Sequence, residues 1–220
     1  MISESFQRNL SKLSSEPKMR IINDSVVTNL RNNIPIKLHL GAGETQHEGF
    51  YNLDIEELPG IDIVADLNEN LSLIPDKSVS DIYSRHVFEH ISNLIGLMSE
   101  IHRISAPDAK ITIIVPHFSN PNYYSDPTHV RFFGLYSMHY FQNREDQIGR
   151  SLPSFYCTTR FKILDLKFNF YRTSLFDRLT VPIFKALVNL NFTTQAFYER
   201  RLSWIFPAWE IRYTITPIQQ

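Results

Sequence analysis

Three polar side chains in one loop have the chemistry to move a proton. His117, Asp126 and His129 lie within PHFSNPNYYSDPTHVRFF, and an imidazole titrates near neutral pH, where it can serve as a general base. Asp126-Pro127-Thr128-His129 sets a carboxylate three residues before an imidazole across a turn, close enough for one to orient the other. A metal site from the same three residues is a second reading. The plainer one has Asp126 cap the turn while at least one histidine bonds backbone. A further pattern, His86-Val87-Phe88-Glu89-His90, spells H-x-x-E-H, an inverted zinc-protease signature. Ligation of that kind needs all five residues on a helix and a third ligand from another segment. Here His86 comes just past the strand-like run DIYS, so Glu89-His90 is read as opening a helix, and no metal is assigned.

A different chemistry is suggested by KLHLGAGETQHEGFYNLD, residues 37–54. A β-like run leads into Gly41-Ala42-Gly43, where the missing Cβ atoms let backbone N–H groups approach a ligand, and Asp54 ends the next run, placed to take a pair of ribose hydroxyls. The match is partial. A dinucleotide fingerprint has a third glycine and an acid about 20 residues on, whereas Glu44 follows Gly43 and Asp54 comes 13 residues after Gly41. Asp66-Leu67, in IDIVADL, offers another carboxylate at a strand end, suited either to an amine on a base or to capping a turn.

These residues need a scaffold that brings strand ends together. Short β-like runs near 36–40, 50–55, 61–65 and 80–84 are separated by glycine or acidic turns. Apolar residues at helical spacing over 92–105, with Ser92 as N-cap, predict a core-facing helix ended by Ala106-Pro107-Asp108-Ala109. Lys110 to Val115 is apolar on both faces, as in an interior parallel strand. Strands over 159–170 and 211–216 flank a helical, aromatic-rich insertion at 173–208, and residues 117–150 form a long loop. Residues 1–35 read as a lead-in of one or two short amphipathic helices packed on the domain. The sum is an α/β sheet whose rim carries Gly41–Gly43, Asp54, Asp66-Leu67 and the run Ser84-Arg85-His86. One interval is short: six residues, Glu44 to Gly49, precede Phe50, where a parallel crossover wants a dozen or more. Either the first helix is trimmed to about a turn or the second run is not parallel to the first.

The 220 residues suit one domain with an appended lobe. A net charge of −1 offers no basic excess for tracking nucleic-acid phosphates. One cysteine, Cys157, forms no intrachain disulfide, the N-terminus lacks a signal-peptide core, and no apolar run approaches the roughly 18 residues of a span, so a cytoplasmic location is expected. Tyr198 to Phe206 mixes Arg200-Arg201 with aromatics, which reads either as peripheral contact with a membrane surface or as an ordinary packed helix.

Taken in order, LHLGAG, FYNLD, VADL, SRHVFEHI and LMSEIHRISAPDAKITIIVPH resemble the successive motifs of the class I S-adenosylmethionine-dependent methyltransferases, over about residues 36–216. PHFSNPNYYSDPTHVRFF and YERRLSWIFPAWEIRYTI are similar to a bacterial branch linked to surface-polysaccharide biosynthesis. The resemblance implies a Rossmann-like doubly wound, mostly parallel sheet of about seven strands with an antiparallel edge. It implies S-adenosylmethionine as cofactor, with Gly41, Ala42 and Gly43 at its methionine moiety, Asp54 on the ribose, Asp66 and Leu67 beside the adenine, and Ser84, Arg85 and His86 closing the sulfonium side. The implied reaction is O-methylation of a sugar or glycan hydroxyl, with His117 or His129 as base oriented by Asp126. Two rival readings are a nicotinamide-dependent oxidoreductase on a similar sheet and a non-catalytic partner protein of the same fold.

Overall fold

The computed structural model describes residues 19–153 and 155–219. Among them, eight strands form one sheet in the order β1-β4-β3-β2-β5-β6-β8-β7: β1 Met19–Ile21, β2 Ile36–Leu40, β3 Tyr51–Asp54, β4 Ile63–Ala65, β5 Val79–Arg85, β6 Ser105–Pro116, β7 Arg160–Phe170 and β8 Ala208–Ile218. The run β4-β3-β2-β5-β6 is parallel, while β8 is antiparallel to both its neighbours and β1 is antiparallel to β4. The expected α/β sheet is therefore present. The lead-in contributes more than helices, because its β1 adds a strand at the edge before α1, Asp24–Arg31. Whatever was expected of residues 1–18 lies outside the described residues.

The short interval after Gly43 resolves in favour of a parallel pair: Leu38, His39 and Leu40 face Tyr51, Asn52 and Leu53 in parallel register. No first helix is built; turns occupy residues 41–50. The sheet face such a helix would cover is polar, with His39 Nδ1 3.3 Å from Asn52 Oδ1, and the turns lay aromatic rings over it. His47 sits 4.7 Å from the Tyr83 ring and 4.8 Å from Phe50, and Lys37 lies over Phe50. A parallel sheet normally needs both faces covered, and here two rings replace a helix on one of them.

The opposite face is apolar and supplies Leu38, Leu40, Leu53, Ile82, Ile111 and Ile113 to the core. α2, Leu94–Ile104, buries Leu97, Met98, Ile101 and Ile104 in the same core. Its N-cap is Asn93, whose Oδ1 accepts from Gly96 N, and not Ser92, which bonds Asn68 instead. Glu89-His90 does not open this helix; it lies in a separate 3₁₀ turn, Phe88–His90. α2 ends at Ile104, just before Ala106 to Ala109 as expected, and these four fall inside β6, which begins at Ser105 and shifts register against β5 before Lys110.

The insertion forms α3, Leu175–Val188, and α4, Phe192–Arg201. Tyr198 of α4 is buried against Phe168 and Phe170 of β7. On α3, Leu175, Leu179, Ile183 and Leu187 recur every fourth residue and are all exposed, so this helix turns an apolar ridge outward. None of the helices among the described residues is long and apolar enough to cross a membrane.

Candidate active site

Parallel strands end on one rim, and the turns after β2, β3, β4 and β5 meet around a cavity of about 350 Å³ lined by Gly41, Asp54, Asp66, Leu67, His86 and His90, among others. Five of the nine residues expected at a cofactor thus share one cavity. Gly41 has φ +64°, and a Cβ there would stand 2.2 Å from Val87 Cγ2, so both its conformation and its neighbour demand glycine. Gly43, at φ +53°, turns its N–H onto Asp54 Oδ2 at 2.8 Å. Asp54 Oδ1 accepts from Glu56 N, which leaves each oxygen a second lone pair for a ligand. Asp66 caps its turn, its Oδ1 accepting from Asn68 N and Nδ2, yet it also lines the cavity; the two readings of that residue are compatible.

Ser84 and Arg85 go elsewhere. Ser84 is fully buried with its Oγ donating to Leu40 O, because strand alternation points it into the core. Arg85 lies over the Trp209 ring and donates through Nε and Nη2 to Glu210 Oε1 at 2.9 and 2.7 Å. His86, at φ +57°, turns out of the strand into the cavity wall. Its Nε2 is 2.6 Å from Glu210 Oε1 and its Nδ1 is 3.4 Å from Glu89 Oε1. Burial by itself would lower this imidazole, but the two carboxylates outweigh it and hold the pKa at about 9, so His86 is a cation at neutral pH. Burial likewise works to raise Glu210, and His86 and Arg85 reverse it to below the usual carboxylate range. Glu210 was not singled out from the sequence, since an acid in WEIRY carries no motif; only pairing of β8 beside β6 brings it near His86.

The loop histidines separate. His117 is fully buried, with Nε2 donating to Glu199 Oε2 at 3.1 Å and Nδ1 accepting from Ser119 Oγ at 2.8 Å. Both ring nitrogens are occupied in tying the start of the loop to α4. His129 instead reaches the rim, because Val130 N donates to Glu89 O and Arg131 donates to the carbonyls of Ile91 and Ser92. Its ring is 4.8 Å from that of His90, and its Nε2 is 3.7 Å from Asp126 Oδ2. The Asp126–His129 pair expected across the turn is thus present, and His90, which lines the cavity, joins it. From His129, ring contacts of 4.5 Å to Tyr123 and 4.7 Å from Tyr123 to Phe132 lead to a second cavity of about 500 Å³, walled by Phe118, Tyr124, Phe132, Tyr136, Trp204 and Glu199.

No family model matches the chain, and no curated protein matches it. Among solved structures, a SAM-dependent methyltransferase from Archaeoglobus fulgidus is similar with a TM-score of 0.52 and 17% identity, over 88% of this chain and 93% of that one. An S-adenosylmethionine-dependent methyltransferase from Mesorhizobium loti aligns with a TM-score of 0.47 and 13% identity, over 86% and 96%. The sheet order, the antiparallel β8 and the likeness to the Archaeoglobus structure together establish that the chain has the Rossmann-like fold of that methyltransferase.

Proposed function

We propose that this chain is an S-adenosylmethionine-dependent methyltransferase acting on a hydroxyl of a sugar or glycan in surface-polysaccharide synthesis, in the cytoplasm. The observation that carries the reading is the convergence of Gly41, Asp54, Asp66 and His86 on one cavity beside His129 and Asp126. The cradle fits the cofactor chemically: a glycine backbone that no Cβ obstructs, and carboxylates at two adjacent strand ends. S-adenosylmethionine supplies an electrophilic methyl group on a sulfonium centre. In this reading Gly41 to Gly43 admit the methionine end, Asp54 accepts from the ribose hydroxyls and Asp66 with Leu67 borders the adenine. His86, neutralised by Glu210 and Glu89, keeps the sulfonium side from being net cationic.

Transfer of a methyl group demands an aligned nucleophile and removal of its proton. The acceptor would enter from the aromatic cavity, whose ring faces suit the C–H faces of a pyranose, and its hydroxyl would be activated at His129 and Asp126. His117, with both nitrogens engaged, anchors the loop. The exposed ridge of α3, flanked by exposed Arg172 and Arg178 and followed by Arg200 and Arg201, supports peripheral contact with an anionic membrane on which a lipid-linked acceptor is carried. Thermal shift separates the cofactor readings, with S-adenosylhomocysteine expected to raise Tm and NAD to leave it unchanged. His129→Ala should lower turnover on a panel of sugar-nucleotide and lipid-linked acceptors by roughly a hundredfold or more with cofactor affinity near wild type. An unchanged turnover number removes His129 from the reaction.

A further inference from the structure

Glu89, His90 and His129 each place one ligand-type atom within 4.8 Å of the others. The proton inventory of this cluster is unusual. His129 Nδ1 lies 2.8 Å from the carbonyl oxygen of Tyr123; a carbonyl only accepts, so Nδ1 holds the proton and Nε2 presents a lone pair. His90 Nδ1 is 2.9 Å from Thr128 Oγ1, whose own hydrogen goes to Asp126 Oδ1. The hydroxyl therefore accepts from His90 Nδ1, and His90 Nε2 too is left with its lone pair. Glu89 is fully buried, and among the described residues neither carboxylate oxygen has a hydrogen-bond partner; Oε1 is ion-paired at 3.4 Å with His86 Nδ1, while Oε2 faces no donor. Two imidazoles, each with one nitrogen free of a hydrogen, and a buried carboxylate thus gather within 4.8 Å. A buried carboxylate oxygen without a donor is costly, and a cation among the three would satisfy Glu89 Oε2 and both imidazoles at once.

We propose that Glu89, His90 and His129 bind a divalent first-row transition ion, with zinc the natural probe. Two neutral imidazoles and one carboxylate form the donor set of three-ligand sites that keep a coordination position open. The surrounding bonds are those such sites require, since a ligating histidine gives its other N–H to a carbonyl or hydroxyl that fixes the ring: Tyr123 O does this for His129, and Thr128, backed by Asp126, for His90. The three ligands come from the 3₁₀ turn after β5 and from the 117–150 loop, so the ion would also staple that loop to the rim.

The location gives the ion a use, and this part rests on the methyltransferase reading. His90 lines the cofactor cavity, and His129 touches Tyr123 on the way to the aromatic one. An acceptor hydroxyl on the open position would lose its proton to water more readily, and its oxygen would form the new C–O bond as the C–S bond of the sulfonium breaks, releasing S-adenosylhomocysteine. His129 then acts as a ligand and not as the proton acceptor.

Full-length protein stripped with a chelator is titrated with Zn²⁺ by calorimetry and with Co²⁺ by visible absorption, without cofactor. Expected are one ion per chain, cobalt bands of low coordination number and a Tm raised by zinc, with Glu89→Gln and His129→Ala each weakening zinc by roughly tenfold or more. Glu89→Gln keeps the buried shape, so its own Tm without zinc reports whether it folds. No stoichiometric binding by the wild type, or equal binding by His129→Ala, overturns the site. Binding of zinc by a chain that ignores S-adenosylhomocysteine keeps the site and sinks the methyltransferase reading, whereas the reverse result keeps that reading and sinks the site.

Discussion

The rim formed by β2 to β5 and the proposed acceptor side formed by residues 117–150 with α3 and α4 are built in different ways. At the rim, polar partners are close in sequence: Gly43 meets Asp54 and Asp66 meets Asn68. On the proposed acceptor side, the bonds span long stretches of chain. Glu199 of α4 accepts from His117 Nε2 and Leu135 N, and Tyr213 of β8 donates to Gly134 O. Cofactor cradles can be written into short motifs because the backbone does the binding. An acceptor pocket assembled from helix, loop and strand leaves no such motif. Between the two lies the cluster of Glu89, His90 and His129, two from the rim turn and one from the loop.

The contrast can be broken or sharpened by mutation. Gly41→Ala should do most damage, since a Cβ at φ +64° meets Val87 at 2.2 Å. We expect a loss of about 1–3 kcal/mol from backbone strain and overpacking, with binding of S-adenosylhomocysteine weakened at least roughly tenfold. Full affinity by calorimetry would show that the rim is not the cradle. Glu199→Ala leaves a buried histidine N–H and a backbone N–H without an acceptor, so it should cost about 1–3 kcal/mol in chemical denaturation. If the two regions act separately, its functional cost will appear in the acceptor's KM while cofactor affinity holds; a shift in cofactor affinity would mean that they are coupled.

The smallest effect lies under the rim, where Glu100 of α2 pairs with Arg103 and accepts from Leu71 N. Arg103 holds the Glu100 carboxyl below the usual carboxylate range. A depressed pKa makes this contribution fully present above the unfolded-state value and lost as pH falls through the folded one. Glu100→Gln should therefore lower Tm slightly at pH 7, by an amount equivalent to about 0.5–1 kcal/mol, and the gap should close in acid. A gap that persists below the carboxylate range would assign the effect to packing.

Much of the sheet was legible in the sequence. The sequence runs match β2 at its observed bounds and β3, β4, β5, β7 and β8 within a few residues, because a strand buried on one face must alternate, whereas β1 was not expected and β6 starts well before Lys110. The absent first helix was also readable as a possibility, since a count of residues limits what a connection can contain. Its replacement by the His47 and Phe50 rings was not, for that depends on which side chains the neighbouring strands present. Ser84 and Arg85 were placed on the sulfonium side by the resemblance of SRHVFEHI; the strand sends one inward, and Glu210 draws the other across the sheet.

The H-x-x-E-H run shows the same division most sharply. Residue types supplied Glu89 and His90, but the pattern implied a helix, and the chain folds those residues into a 3₁₀ turn. The third donor, His129, lies 39 residues after His90, and only Val130 and Arg131 docking on residues 89–92 bring it there. Sequence alone determined the alternation of strands, the glycine turn and the acids at strand ends, all of which follow from backbone geometry within a few residues. The tertiary structure alone decided which imidazole faces the cavity, where its protons lie and which carboxylate is buried beside it, because those depend on contacts between segments that no local rule relates.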